Sequence, residues 1–283
     1  MDSLVTAEWL ANDMAASDIR IVDASKHLPE TGRDARAEYA AAHIPGAVFM
    51  DLESLIDLQA PVENTLPSAE LFASRMRTLG LGDGSRIVIY DDSAIHSSAR
   101  AWFMLKMFGA QNVAILDGGL AAWKAQGRPL ASGVEALRCR HFTTWADTAQ
   151  LRTKAEVLAN VSSRCEQIVD ARSAARFCGA EQEVRPGLAS GHIPGAMNVP
   201  VGQLFNADGM WKGVPGLRAA FEAAGVDLSR PVTTSCGSGM TACCLLFALH
   251  LIGKEDTALY DGSWTEWGSD AELPKEVGQT QPA

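Results

Sequence analysis

An internal duplication constrains this chain more than any other feature of it. The first half carries Ile21-Val22-Asp23-Ala24-Ser25, His43-Ile44-Pro45-Gly46-Ala47, Ile87-Val88-Ile89-Tyr90-Asp91 and Asp117-Gly118-Gly119, ending at Trp123. The second half answers in the same order with Ile168-Val169-Asp170-Ala171-Arg172, His192-Ile193-Pro194-Gly195-Ala196, Val232-Thr233-Thr234-Ser235-Cys236 and Asp261-Gly262-Ser263, ending at Trp267, each landmark displaced by about 145 residues. A repeat of that length is a domain, and the chain has room for two domains of the usual size, roughly 100 to 150 residues each. We therefore read an N-terminal domain over 1–126, a surface linker over 127–150 that holds Gly127, Pro129, Ser132 and Gly133, and a C-terminal domain over 151–283.

Within each half the hydrophobic period alternates. Short β-branched runs at 19–23, 86–90, 113–116, 167–170, 231–235 and 257–260 predict buried strands. Apolar residues three or four apart predict helices over 68–79, 98–108, 216–224 and 240–252. Strand and helix in turn make an α/β fold, so each half is expected to be a mostly parallel sheet flanked by helices. An apolar share of 47% with 20% charged residues suits a soluble globular protein, and no segment approaches the roughly 20 apolar residues of a membrane span. The start, Met1-Asp2-Ser3-Leu4, has neither the basic residues nor the apolar stretch of a secretory signal, which points to the cytoplasm. A net charge of −10 argues against nucleic acid or an anionic membrane as partner. The six cysteines contain no C-x-x-C pair and the histidines no metal-ligand spacing, so neither a disulfide framework nor a metal site is expected.

The duplication also serves as a control: what both halves keep is what the fold needs, and what one half alone keeps is a candidate for chemistry. His43 and His192 both precede Ile-Pro-Gly-Ala and are assigned to structural turns, while Asp23 and Asp170 close equivalent strands. Cys236 stands alone. It ends a strand, the loop Gly237-Ser238-Gly239-Met240-Thr241 follows, and then a helix begins. Loops at the carboxyl ends of parallel strands are where such folds bind ligands. Gly237 and Gly239 let the backbone curl so that successive N–H groups and the helix N-terminus face an anion, which predicts a sulfur held negative and open to small reagents. The first half has Asp91-Asp92-Ser93-Ala94 at that place and should be catalytically silent. Cys243 and Cys244 lie inside the helix and read as core, whereas Cys178 is left between an inert and a redox-active role.

Together the tandem halves, the two His-Ile-Pro-Gly-Ala motifs and the loop Cys236-Gly237-Ser238-Gly239-Met240-Thr241-Ala242 resemble the 3-mercaptopyruvate sulfurtransferases of the rhodanese superfamily, over about Val5 to Trp267. The resemblance implies two rhodanese-like domains, a persulfide on Cys236, no cofactor, and sulfur passing from 3-mercaptopyruvate to a small thiol, a thioredoxin or cyanide; the sequence is silent on oligomeric state, and a monomer is favoured. Relatives that prefer thiosulfate carry basic residues just after the cysteine; Gly237 and Ser238 here favour mercaptopyruvate. Phosphatases of this fold use Cys-x5-Arg, and Ala242 at that last position argues against them. The resemblance further implies that Arg176 and Arg185 grip the substrate, as planar guanidinium groups suit a carboxylate and a ketone oxygen. Arg185 stands seven residues before His192, as Arg36 does before His43, and so is also read as partly structural; Arg176 has His27 as its counterpart. In the family the serine at the place of Ser238 works with an Asp and a His from the N-terminal domain. Glu53 and Asn64 occupy those places as candidate inter-domain contributors, and Asn does not titrate. Two rival readings stay open: a thiosulfate sulfurtransferase, and a non-enzymatic redox-sensing or binding module.

Overall fold

The structure, a computed structural model, describes residues 1–135 and 138–278; positions 136 and 137 of the expected linker and 279–283 of the C-terminal half lie outside the described residues. It divides into two units. Met1–Asp57 and Leu66–Asp147 make the first, and Leu58–Thr65 with the chain from Thr148 onward make the second.

The first unit holds strands β1 (Leu4–Val5), β2 (Ile19–Asp23), β3 (Ala47–Phe49), β4 (Arg86–Tyr90) and β5 (Asn112–Leu116), with helices α1 (Ala7–Asp13), α2 (Ala35–Ala41), α3 (Ala69–Thr78), α4 (Ser98–Met107) and α5 (Gly119–Ala125). The second repeats the pattern with β6 (Leu151–Arg152), β7 (Gln167–Asp170), β8 (Met197–Asn198), β9 (Val232–Ser235) and β10 (Thr257–Tyr260), and helices α6 (Lys154–Ser163), α7 (Ala174–Phe177), α8 (Val214–Ala223), α9 (Ala242–Leu251) and α10 (Ser263–Ser269). The sheets run β1-β5-β4-β2-β3 and β6-β10-β9-β7-β8, with the named strands paired parallel throughout. Each is a parallel sheet with helices, the α/β architecture expected twice over.

The longer elements follow the sequence reading to within a few residues, because burial writes their period into the chain. β4 and β9 are the middle strands of their sheets, which explains a nearly unbroken run of buried residues in each. The helices that follow them, α4 and α9, are buried almost all round; Ala242 through Leu249 are all buried, as a helix sunk into a core must be. The edge strands β1, β3, β6 and β8 have two or three residues each and offer no period to read. Helix α6 buries little beyond Val157, but the capping box between Thr153 and Glu156 marks its start in the sequence.

Most residues of the expected linker fasten to the first unit. Ala131 bridges His43, Gly133 N–H donates to the Ala40 carbonyl at 2.8 Å, and buried Phe142 meets Phe72 edge-on.

The two histidine motifs behave as the control suggests. His43 lies stacked on Tyr39 with its Nδ1 at 2.8 Å from the Tyr39 carbonyl, and His192 is stacked on Phe177 with Nδ1 at 2.9 Å from the Phe177 carbonyl. Both are buried, and each precedes a turn closed by Ala47 or Ala196 N–H donating to the carbonyl of Ile44 or Ile193 at 2.9 Å. The tryptophans match as closely: Trp123 and Trp267 are buried, and each indole N–H donates at 2.8 Å to a proline carbonyl, Pro129 or Pro274.

Candidate active site

The site grows from the carboxyl end of β9, the middle strand of the second unit. Cys236 directly follows that strand and α9 opens at Ala242, with Gly237 to Thr241 between them. The loop is held from below by the start of α10: the Cys236 carbonyl accepts from Trp264 N–H at 2.9 Å, and the Gly237 carbonyl accepts from Thr265 N–H at 2.8 Å and from its hydroxyl at 2.7 Å. A trans peptide points its C=O and the following N–H in opposite directions. Tying down those two carbonyls therefore turns the amides of Gly237 and Ser238 away from α10.

Ser263 takes two of the loop amides. Its buried hydroxyl accepts from Cys236 N–H and Gly239 N–H, both at 3.1 Å, and donates to the Tyr260 carbonyl at 2.9 Å. It does so from the left-handed region, φ 49°, where a residue with a side chain is strained. No acceptor among the described residues takes the amides of Gly237, Ser238, Met240 or Thr241. These N–H groups and the N-terminus of α9 are the donors that an anion on the sulfur would use.

The sulfur is more enclosed than the sequence suggests. Cys236 is 1% exposed, and the expectation of a nucleophile open to small reagents is corrected to one at the floor of its loop, with Gly237, Ser238 and Thr241 half-buried at the rim. The reason lies in α10: by drawing the Cys236 and Gly237 carbonyls to itself it pulls the loop down over its own first residue.

Two guanidinium groups cover that rim. A Cβ placed on Gly237 would lie 3.3 Å from Arg176 Nη2 and 4.0 Å from Arg185 Nη1, so both cations stand over the residue next to the cysteine. Arg185 is steadied by Thr265, whose hydroxyl accepts from Nη1 at 3.1 Å, and its Nε lies 3.2 Å from Glu63. Arg176 reaches out from α7 to the carboxylate of Glu183, and its Nε is buried without a protein partner. Arg36, the first-unit counterpart of Arg185, goes elsewhere: it pairs with Asp51 at 2.8 Å and lies over Phe49.

Other residues singled out from the sequence fall as follows. Glu53 belongs to the first unit, 73% exposed at its side chain and 3.8 Å from Lys26. Asn64 belongs to the second unit and has φ 61°. Cys178 is half-buried, its thiol facing the Ala175 carbonyl at 3.5 Å, and Cys243 and Cys244 are core. Three residues of the site escaped the sequence reading. Ser263 could have been found, because the Asp-Gly-Ser landmark differs from Asp-Gly-Gly only there. Thr265 and Glu183 carry no comparable signal in the sequence.

In the first unit the equivalent loop fills itself. The Asp91 carboxylate accepts from Ser93 N–H at 3.0 Å and Ser98 N–H at 2.7 Å, while the Asp91 carbonyl accepts from Leu120 N–H at 3.0 Å, the counterpart of the Trp264 bond. Arg33 closes over the next residue with a 3.0 Å pair to Asp92.

Residues 6–126 and 153–270 each match the rhodanese-like domain family. Over 271 residues the chain is 41% identical to the 3-mercaptopyruvate sulfurtransferase of Homo sapiens, spanning 94% of this chain and 91% of that protein. It is 38% identical over 284 residues to the thiosulfate sulfurtransferase of Cricetulus griseus, spanning 98% and 95%. The crystal structure of SseA from Escherichia coli, a 3-mercaptopyruvate sulfotransferase, superposes with a TM-score of 0.86 at 38% identity over 93% of this chain and 99% of that one.

Proposed function

The chain belongs to the rhodanese family, and on that premise we propose that it is a sulfurtransferase taking sulfur from 3-mercaptopyruvate onto Cys236 and handing it to a thiol, a thioredoxin or cyanide. The observation that carries this reading is the convergence of Arg176 and Arg185 over Gly237, beside a cysteine whose loop has amides to spare.

Guanidinium groups there suit a small keto acid, one pairing with the carboxylate and the other with the ketone oxygen. The Cys236 thiolate attacks the donor sulfur, a Cys236–sulfur bond forms, and the carbon–sulfur bond breaks with its electron pair moving into the enolate of pyruvate. The cation at the ketone oxygen stabilises that enolate more than the starting ketone, which lowers the barrier. The donor's own S–H proton balances the carbon's new C–H bond. Ser238 and water are left to carry it, because Asn64 stands where relatives have a titrating group and Glu53 where they have an Asp. The persulfide anion is then stabilised by the loop amides and the start of α9. An acceptor thiolate attacks the outer sulfur, the S–S bond breaks, and Cys236 returns as thiolate, a ping-pong cycle without a cofactor. The monomer and a cytoplasmic setting complete the proposal; no helix among the described residues is long and apolar enough to cross a membrane.

The similar identity to a thiosulfate sulfurtransferase keeps that donor as the second reading. Mass spectrometry of the intact protein after treatment with each donor in turn separates them. One added sulfur on Cys236, gained faster from mercaptopyruvate, is the expected result; faster gain from thiosulfate selects the second reading, and no gain from either leaves only a binding or redox-sensing module.

A further inference from the structure

We infer that Glu183 sets the charge of the donor pocket and thereby its preference for singly over doubly charged sulfur donors, an inference that rests on the sulfurtransferase reading above. Glu183 lies on the segment between the two arginines, yet its side chain is only 1% exposed. One carboxylate oxygen accepts from Arg172 Nη1 at 2.6 Å, and the other accepts from Arg176 Nη2. Arg172 is itself sunk in the core: its Nε and Nη2 meet the Asp170 carboxylate at 3.0 and 2.8 Å, Nη2 also donates to the Gly191 carbonyl, and its face lies over Trp264. Asp170, Arg172, Glu183 and Arg176 thus form one continuous chain of alternating charge whose formal sum is zero.

The consequence is electrostatic. A donor at Gly237 meets two guanidinium groups, but Arg176 comes with a buried carboxylate on its far side, and the attraction or repulsion of a buried charge is little screened. Arg185 has Glu63 as its partner, and that carboxylate is 71% exposed, so water and salt mute it. The pocket therefore presents close to one uncompensated positive charge. Mercaptopyruvate with its thiol protonated carries one negative charge and thiosulfate carries two. A site of this charge holds the first without excess repulsion and penalises the second through Glu183. At the matching place of the first unit, two residues before Arg36, stands Asp34, whose carboxylate caps α2 by accepting from Ala37 N–H.

The test is Glu183→Gln, which keeps the shape and one accepting oxygen, removes the charge, and sets an amide NH2 against one of the two guanidinium groups. Rates from thiosulfate and from mercaptopyruvate are measured on one preparation with cyanide as acceptor, so that the ratio of the two kcat/KM values does not depend on how much protein is folded. The ratio of thiosulfate to mercaptopyruvate should rise about tenfold in Glu183→Gln. Glu183→Asp retains the charge and should stay at the wild-type ratio even if both rates drop. Glu63→Gln should move the ratio less than about twofold. A Gln variant in which both donors slow in proportion makes Glu183 a mere brace for Arg176 and overturns the inference, as does an equal shift from Glu63→Gln. Absence of turnover with either donor in the wild type strikes the sulfurtransferase reading itself, a different outcome from an unchanged ratio.

Discussion

Two loops leave the middle strands of their sheets at the same point and are completed in opposite ways. After β4 the Asp91 carboxylate folds back onto Ser93 and Ser98 N–H, so the anion that the loop amides demand is part of the chain. After β9 the residue is Cys236, Ser263 takes the amides of Cys236 and Gly239, and the other loop amides have no acceptor among the described residues. The fold builds a cup for negative charge in both halves. In the first a carboxylate of the chain fills it, as a purely structural copy would require; in the second, on the function proposed above, the charge is a sulfur that the reaction brings and removes. The strand, the carbonyl fastened to the last helix and the turn histidines are common to both, so the difference comes down to a few side chains.

Exchanging those side chains tests the comparison. Cys236→Ser should lower turnover by about a thousandfold or more and abolish the added sulfur in mass spectra, with the melting temperature nearly unchanged. Asp91→Asn should do the reverse: kcat/KM within about twofold of wild type, and a loss of about 1 to 3 kcal/mol in denaturant unfolding, because buried amides lose a charged acceptor. If Asp91→Asn costs turnover as heavily as stability, the first loop is not the inert copy described above. Arg176→Ala should reduce kcat/KM for mercaptopyruvate by about a hundredfold, mostly through KM, since it removes a charge-assisted contact. Arg36→Ala, at the first-unit counterpart of Arg185, removes a surface pair with Asp51 and the contact with Phe49 and should be silent in steady-state kinetics.

A subtler swap concerns the residue at φ 49° in one half and φ 54° in the other, Ser263 and Gly119. Ser263→Gly relieves the left-handed strain but removes the hydroxyl, so kcat should fall by about tenfold while the melting temperature barely moves. Gly119→Ser pushes a Cβ into the Asp91 carbonyl and should lower the melting temperature by about 5 °C or more with little effect on turnover; equal tolerance of both swaps would mean that the hydroxyl has no bearing on the loop.

The smallest effect concerns a landmark both halves share. Burial, more than any other influence, depresses the titration of His192 below its ordinary value, against the opposing pull of the Phe177 carbonyl and Glu276. The fold therefore prefers the neutral ring, the unfolded chain takes up the proton first, and stability present above about pH 6.5 is lost as pH falls through the folded value. The melting temperature should drop by about 2 °C between pH 7.5 and 5.5 from this group, and His192→Asn should flatten that part of the curve while leaving donor turnover intact.

Much of this was legible in the chain. The strands from Ile19, Arg86, Gln167 and Val232 were readable because a buried parallel strand is built largely of β-branched residues, and Cys236 was readable because its counterpart is Asp91. The role of Arg185 was only half readable. Its spacing to His192 repeats that of Arg36 to His43, yet Arg36 turns to Asp51 and Phe49 while Arg185 turns to Thr265 and Glu63. Spacing places a residue on an element; it does not say which of several polar partners the side chain will choose. The closure of the sulfur was missed for a similar reason, since the bonds that draw its loop down come from Trp264 and Thr265, nearly thirty residues further along.

The amino-acid order by itself determined that there are two like domains, which strand ends in a sulfur and which in a carboxylate, and that the histidine turns belong to the scaffold. Those facts depend on local period and on matching one half against the other. Only the tertiary structure decided which charges meet: that Glu183 joins Arg172 to Arg176, that Ser263 takes two amides of the cysteine loop, and that Cys236 lies beneath its rim. Coulombic and hydrogen-bond energies change steeply over an ångström or two, and separations of that size between residues distant in the chain exist only once the sheet has formed.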